Sequence, residues 1–277
     1  MAWPAAQRPA NNAQMSQAPE VPTVPLPGGG RLPLIGFGTW KLKGYQAEAA
    51  VEAALAAGYR HLDTAVMYGN EAEIGSALGS SDLAREDVFL TTKIRPSDAG
   101  KEPAVLRRSL RALRADYVDL WLIHWPPNRR QLSRQLWNEL RRLRDEGLVR
   151  DIGVSNYDLD QIDDLIEATG EAPAVNQVSW SPARYDAGLL EGHRERGVVL
   201  EGYSPLKGTQ LDHPVLTDIG RAHGVSAAQV VLRWHLDHAI PVIPKSQRPE
   251  RIAANLDLMG FALTDAEVAA IDGLAGR

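Results

Sequence analysis

Three ionisable side chains lie near the ends of short apolar runs, and a tyrosine follows the first of these runs. Asp63 and Lys93 stand near the ends of two runs, Tyr68 lies in the loop after Asp63, and His124 closes a third run. A phenol is a weak acid with a reference pKa of about 10, and a neighbouring ammonium lowers that value. Lys93 would supply this ammonium, Asp63 would hold it charged, and His124 would hydrogen-bond a substrate oxygen or relay a proton. The pattern predicts that Tyr68 protonates an oxyanion.

Each of these residues also has an ordinary structural interpretation. Asp63 could cap a turn, Tyr68 could pack in the core, and Lys93 could extend its amine to solvent. His124 could be a hydrogen-bonded core histidine. However, a lysine and an aspartate at the ends of neighbouring apolar strands imply a partly buried ion pair, which is costly unless a function retains it. The four residues together therefore favour a catalytic site.

Eight apolar runs of β type could position these residues. The runs span 34–39, 59–65, 88–94, 118–125, 149–156, 174–180, 198–205 and 240–246. Helical periodicity follows them at 45–57, 70–79, 103–115, 131–147, 158–169, 186–196, 226–238 and 249–258. A repeat of about 30 residues matches one βα unit. The sequence thus predicts an α/β chain folded as a (β/α)8 TIM barrel, closed instead of doubly wound, with active-site residues at the carboxyl ends of its strands.

The ends of the chain fall outside this repeat. Three consecutive glycines, 28–30, are typical of a phosphate loop, but a strand signal follows them instead of a helix, so we expect a β-hairpin at the barrel floor. Segments 214–223 and 264–274 are predicted to be extra helices near the C-terminus. We expect residues 1–23 to form a flexible tail without a secretory signal, and residues 24–277 to form a single catalytic domain in the cytoplasm.

Composition excludes several classes of protein. The chain is 44% hydrophobic and 23% charged, and it has no apolar run of the roughly 18 residues that a membrane span needs. It has no cysteine, which excludes disulfides, thiol catalysis and Cys metal sites, and no metal site is predicted. The 11 arginines between Arg107 and Arg150 could form a nucleic-acid patch, but the net charge of -5 favours solvated helix faces. No nucleic-acid or membrane partner is expected.

Six ordered motifs make the chain resemble the aldo-keto reductase family over residues 24–274. They are Gly36-Phe37-Gly38-Thr39-Trp40, His61-Leu62-Asp63-Thr64-Ala65 with Tyr68-Gly69-Asn70-Glu71, Thr92-Lys93, Leu122-Ile123-His124-Trp125-Pro126, Gly153-Val154-Ser155-Asn156 and Ile243-Pro244-Lys245-Ser246. This resemblance implies NADPH-dependent, reversible reduction of aldehydes and ketones by a monomer. It also implies a catalytic tetrad of Asp63, Tyr68, Lys93 and His124.

The resemblance implies a cofactor and substrate site as well. Ser155, Asn156 and Gln177 would bind the nicotinamide carboxamide, and Tyr203 would stack on the ring. Further cofactor contacts would come from Gly38, Thr39, Ser204, Leu206 and Asn255. Lys245, Ser246 and Arg251 would bind a 2'-phosphate, an expectation that charge after the last barrel strand also supports. Trp40, His124 and Trp125 would line the substrate pocket.

The sequence departs from many relatives at Ser179-Trp180-Ser181-Pro182, and it ends soon after its last helix. It resembles the shorter prokaryotic members, of the 2,5-diketo-gluconate reductase type, and an open mouth would favour small aldehydes, ketones and dicarbonyls. Two alternatives compete with this function. One is a non-catalytic NADPH-binding or redox-sensing regulatory protein. The other is a barrel glycosidase, for which Asp63 and Glu201 lack the paired arrangement that two catalytic carboxylates need.

Overall fold

A ring of eight parallel strands forms the centre of the protein, for which a computed structural model describes residues 21–276. The ring consists of β3 (Phe37–Gly38), β4 (His61–Asp63), β5 (Phe89–Ile94), β6 (Val118–Ile123), β7 (Val149–Ser155), β8 (Val175–Ser179), β9 (Val199–Tyr203) and β10 (Val242–Ile243). The first and last strands meet through a parallel bridge between Ile35 and Val242, and Gly38 N donates to Pro244 O at 3.0 Å. The predicted (β/α)8 barrel is confirmed.

Helices cover the outside of the ring. They are α1 (Gly44–Ala57), α2 (Glu71–Gly79), α3 (Glu102–Leu113), α4 (Arg130–Asp145), α5 (Leu159–Thr169), α6 (Ala187–Glu195), α7 (Pro214–His223), α8 (Ala227–Asp237), α9 (Pro249–Leu256) and α10 (Asp265–Asp272). Their apolar faces pack on the strands in one large cluster, and α6, α7, α8 and α10 share a second cluster around Trp180 and Trp234. The extra helices α7 and α10 correspond to the two segments outside the repeat.

A hairpin closes the amino-terminal end of the barrel, as the three glycines indicated. Strands β1 (Thr23–Pro25) and β2 (Arg31–Pro33) pair antiparallel across the turn. The amides of Gly28 and Gly30 donate to the two carboxylate oxygens of Asp151, at 2.6 and 3.2 Å. A Cβ on Gly28 would lie 2.2 Å from the Arg150 carbonyl oxygen, so the close approach requires glycine here. The first 20 residues of the predicted tail lie outside the described residues.

The described residues can be compared with the classes of protein that composition excludes: nucleic-acid binding, membrane-spanning and metal-binding proteins. Most of the arginines on α4 form ion pairs with nearby carboxylates, for example Arg134 with Asp164 and Arg141 with Glu171. Between residues 21 and 276 no helix combines the length and apolar character that crossing a bilayer requires. The same residues contain no cluster of three or more His, Cys, Asp or Glu placed to hold a metal ion.

Candidate active site

A buried ion pair lies at the carboxyl ends of two adjacent barrel strands. Lys93, near the end of β5, donates through Nζ to both carboxylate oxygens of Asp63, at 2.7 and 2.6 Å, and to the Thr64 carbonyl at 3.0 Å. Both side chains are almost completely inaccessible to solvent. Burial is the largest single effect and lowers the pKa of Lys93, but the charge and hydrogen bonds of Asp63, together with Tyr68 and Glu201, outweigh burial and raise this pKa overall. Lys93 therefore stays charged inside the barrel.

Tyr68 lies next to this ion pair, at the end of a short 3-10 turn, Val66–Tyr68, that follows β4. Lys93 Nζ is 5.2 Å from the centroid of the Tyr68 ring. Burial raises the pKa of Tyr68 above its ordinary value, while the charge and hydrogen bonding of Lys93 act to lower it. The ammonium thus acts in the direction that the sequence predicts, but burial is the larger effect. The phenol keeps its proton at neutral pH, which is the state that a general acid needs.

Buried polar contacts fix the loop that carries Tyr68. Asn70 is buried and donates through Nδ2 to the carbonyls of Thr39, at 2.9 Å, and Leu42, at 3.1 Å. Its Oδ1 accepts the hydroxyl of Thr64 at 2.9 Å. Gly69 has φ 61°, a left-handed conformation that glycine adopts without steric cost. These contacts tie the loop to the segments that follow β3 and β4.

His124 directly follows β6 and faces Tyr68. Its ring lies edge-on to the Tyr68 ring, with centroids 5.6 Å apart. Burial, together with the positive charge of Lys93, lowers the pKa of His124 to about 3. The imidazole is therefore neutral at physiological pH and can donate one hydrogen bond while accepting another. A neutral ring can bind a carbonyl oxygen without bringing a second cation to Lys93.

A connected strip of polar side chains runs beside the tetrad across the ends of β7, β8 and β9. Asn156 donates through Nδ2 to the His124 carbonyl, at 3.1 Å, and to Ser155 Oγ, at 3.0 Å. Its Oδ1 accepts the Tyr203 hydroxyl at 2.8 Å, and Ser155 Oγ donates to the Gln177 carbonyl at 2.8 Å. Asn156 has φ 64°, which asparagine tolerates better than most residues. The strip is held as one unit.

A group of cations surrounds the amino terminus of α9. Lys245, Arg248 and Arg251 are exposed, and the ion pairs formed by the described residues include none of the three. Ser246 is buried, and its Oγ accepts the Arg248 amide at 3.1 Å just before the helix begins. Asn255 lies one turn after Arg251 and is partly buried. Unpaired cations at a helix start suit a phosphate group.

A cavity of about 530 Å³ lies above the tetrad and connects these regions. Trp40, Met67 and Trp125 form its rim and are 51%, 51% and 47% exposed, unusual values for large apolar side chains. Of the sequence-predicted site residues, the lining includes Asp63, Tyr68, His124, Ser155, Asn156, Gln177, Tyr203, Ser204, Leu206, Lys245, Gly38, Trp40 and Trp125.

The other predicted site residues lie outside the cavity lining. Lys93 is beneath the floor, and Thr39 is buried with its hydroxyl donating to the Asp63 carbonyl at 2.8 Å. Ser246, Arg251 and Asn255 lie beyond the mouth at α9. Gly38 lines the cavity where a Cβ would come within 2.8 Å of the Ile243 carbonyl oxygen. The structure thus assembles the tetrad and the polar strip around one cavity and places the cation group at its edge.

Comparison with known proteins identifies the family. The model of the Aldo/keto reductase family matches residues 34–275. The chain belongs to the aldo/keto reductase family. It is therefore an oxidoreductase. A crystal structure of an aldo/keto reductase from Brucella melitensis shares 41% identity with a TM-score of 0.89, covering 92% of this chain and all of that one.

Two further relatives bear on the chemistry. Morphine 6-dehydrogenase of Pseudomonas putida is 40% identical over 269 residues, 91% of each chain. An aldo-keto reductase from Bombyx mori, crystallised in complex with NADP, is 31% identical with a TM-score of 0.86, covering 93% of this chain and 94% of that one. Both descriptions fit a site for carbonyl and alcohol redox chemistry.

The sequence interpretation did not anticipate every neighbour of the site. Arg248 stands among the cations at α9, and Met67 stands at the cavity rim. Glu201, for which the sequence indicates no partner, accepts the side-chain amide of Gln177 at 2.8 Å inside the barrel. The departure at 179–182 is accommodated locally, because Trp180 is buried and the Ser181 hydroxyl donates to the Lys207 carbonyl at 3.0 Å.

Proposed function

We propose that this aldo/keto reductase reduces aldehydes and ketones with NADPH, and that Tyr68 donates the proton. The observation that carries the proposal is the buried Lys93–Asp63 ion pair beside the Tyr68 phenol at the floor of the cavity. An ion pair inside a barrel is expensive to bury, and here it sits where it can stabilise a phenolate. The NADP-bound relative from Bombyx mori supports the choice of cofactor class.

The residues of the cavity fit a nicotinamide group. The Gln177 side chain lines the cavity, and its amide oxygen has no hydrogen-bond partner among the described residues. Ser155 and Asn156 would hold the carboxamide beside it, and Tyr203 would cover one face of the ring. A bound nicotinamide supplies hydride to the carbonyl carbon. Gly38, Thr39, Ser204 and Leu206 would support the cofactor between the ring and its phosphates.

The cations at α9 fit the other end of NADPH. Lys245 and Arg251 carry charge that no carboxylate of the described residues neutralises within ion-pair distance. Arg248 adds a third cation beside the buried hydroxyl of Ser246, and Asn255 would contact the adenine. A 2'-phosphate adds negative charge that NADH lacks, so a group of cations here favours NADPH.

The tetrad then completes the reaction on the substrate oxygen. Neutral His124 donates a hydrogen bond to the carbonyl oxygen, which orients the substrate between Trp40 and Trp125. The Tyr68 hydroxyl transfers its proton to the oxyanion as charge develops. Lys93 stabilises the resulting phenolate, and Asp63 keeps Lys93 charged and in place. In alcohol oxidation the same groups act in reverse, with Tyr68 as the base.

The direct test is consumption of NADPH with an aromatic aldehyde, followed by absorbance at the nicotinamide band. We expect turnover with small aldehydes, ketones and dicarbonyls and slower turnover with NADH. Saturable NADPH binding without turnover across many carbonyls would favour the regulatory alternative. A glycosidase is disfavoured because Glu201 is completely buried and does not line the cavity. A monomeric state and a cytoplasmic location stay predictions, and light scattering on the purified chain tests the first.

A further inference from the structure

A second carboxyl group lies inside the barrel beneath the proposed nicotinamide site. Glu201 is on β9, directly opposite Gln177 on β8, and is completely buried. Its Oε2 accepts Gln177 Nε2 at 2.8 Å. Its Oε1 has no hydrogen-bond partner in the described part of the chain and lies 3.9 Å from His61 Nε2. A glutamate within a barrel strand is unusual, because apolar side chains fill most barrel interiors.

The amide nitrogen of Gln177 is shared between two carboxyl groups. Besides Glu201, Nε2 donates to Asp63 Oδ2 at 2.8 Å, so both of its hydrogens have acceptors. The carboxylate of Asp63, paired with Lys93, identifies the amide atom 2.8 Å from its Oδ2 as the nitrogen, since an amide oxygen would repel that charge. The amide oxygen is then the group that Gln177 presents to the cavity. Glu201 accepts the other hydrogen of the same nitrogen.

The charges around Glu201 favour its neutral form. Burial and the negative charge of Asp63 raise the pKa of Glu201 well above its usual range, although the Gln177 hydrogen bond and Lys93 act to lower it. The titratable groups near Glu201 on the packed strands are His61 and Asp63 on β4 and Lys93 on β5, and β10 carries none. Burial lowers the pKa of His61 to about 3, so this imidazole is uncharged as well. Lys93 thus keeps Asp63 as its single ionised partner.

We propose that Glu201 is a positioning residue, which together with Asp63 clamps the Gln177 amide nitrogen so that the amide oxygen accepts the nicotinamide carboxamide. The clamp also connects the cofactor site to the tetrad, because Asp63 is a member of both. This inference rests on the proposed function. It predicts that Glu201 acts by accepting a hydrogen bond from Gln177 Nε2, at the distance that the length of its side chain sets, and not by its charge.

Two mild substitutions separate these roles. Glu201→Gln keeps an acceptor oxygen at the same length and cannot ionise, whereas Glu201→Asp keeps the carboxyl and withdraws it by one methylene. NADPH affinity is measured by equilibrium fluorescence titration, which needs no turnover. We expect Glu201→Gln to bind within about threefold of wild type and Glu201→Asp to bind roughly 5- to 30-fold more weakly, because a buried N–H is left unpaired. The reverse order would overturn the proposal.

A double-mutant cycle tests whether Glu201 acts through Gln177. In a Gln177→Leu background, Glu201→Asp should no longer weaken NADPH binding, because there is no amide left to orient. An equal loss in both backgrounds would show general damage and overturn the proposal. If wild type neither binds nor oxidises NADPH, the proposed function fails. If wild type does both and every Glu201 variant binds equally well, this inference alone fails.

Discussion

Lys93 Nζ is equidistant, within 0.1 Å, from the two carboxylate oxygens of Asp63, at 2.7 and 2.6 Å, and it lies 5.2 Å from the centroid of the Tyr68 ring. Neither charge can reach water, so each depends on the other to remain ionised. The proton transfer proposed for Tyr68 depends on this relationship. Disturbing the pair should therefore affect both stability and chemistry.

Asp63→Asn should lower both the stability of the protein and the rate of the reaction. It leaves the Lys93 ammonium buried without a counter-charge, which typically costs about 3–5 kcal/mol when one partner of a buried pair is removed. We expect the free energy of unfolding to fall by this order and kcat to fall at least roughly 100-fold, since a buried lysine without its counter-charge loses its proton more readily and then cannot stabilise phenolate. Denaturant unfolding and steady-state kinetics measure the two effects.

A matched control lies at the opposite end of the barrel. Asp119 on β6 is buried and accepts Arg85 Nη2 at 2.6 Å and Arg150 Nη1 at 3.0 Å. Asp119→Asn should lower stability while the folded enzyme retains its kcat. Equal losses of kcat in Asp63→Asn and Asp119→Asn would mean that the Lys93 pair has no special part in the reaction.

Arg251→Ala tests cofactor choice. Loss of one cation from a phosphate site should weaken NADPH binding by about tenfold and leave NADH affinity nearly unchanged, because charge-assisted bonds to the 2'-phosphate disappear. Arg111 on the exposed face of α3 provides the control, and its alanine variant should bind both cofactors as wild type does. If Arg251→Ala loses affinity equally for both cofactors, Arg251 does not bind the 2'-phosphate.

Acid should destabilise the protein through its buried histidines. Burial is the main cause that lowers the pKa of His61 and His124 to about 3 and of His235 to about 4. In the unfolded chain these groups titrate near pH 6.5, so below that pH the unfolded state binds more protons than the folded state. The contribution of these histidines to stability is thus complete above pH 6.5 and falls as pH decreases toward about 4, by roughly 1 kcal/mol per pH unit for each histidine.

Unfolding by urea at several values between pH 7 and pH 4.5 measures this loss. His124→Gln removes one of these titrations and should make the decline shallower by roughly 1 kcal/mol per pH unit. A decline of the same slope in the variant would show that His124 does not titrate as burial requires.

The sequence indicates that the four side chains of the tetrad lie close together, because parallel strands share an edge. Asp63, Lys93 and His124 each stand at the carboxyl end of a strand, so their proximity follows once the strands are counted and closed into a ring. The contact between Gln177 and Asp63 spans 114 residues and crosses the barrel interior. Strand tilt and register determine it, and neither can be derived from spacing along the chain.

Other features depend on burial, which spacing indicates only roughly. The predicted strand at 34–39 contains just two residues of regular strand, Phe37–Gly38, because the chain before them makes an isolated bridge to Val242. The sequence pairs Tyr68 with Lys93 and predicts a lowered phenol pKa, yet desolvation by the surrounding side chains raises it. Arg248 directly precedes the first residue of α9, so its place among the cations follows from the position where this helix starts.

The central claim is that the Tyr68 hydroxyl supplies the proton, and Tyr68→Phe tests it most directly because only one oxygen is removed. The measurement is the single-turnover rate of aldehyde reduction with NADPH, alongside NADPH affinity by fluorescence titration on the same sample. We expect the rate to fall by at least about 100-fold while affinity stays within roughly threefold of wild type. A variant that binds NADPH normally and reduces the aldehyde at a near wild-type rate would contradict the account.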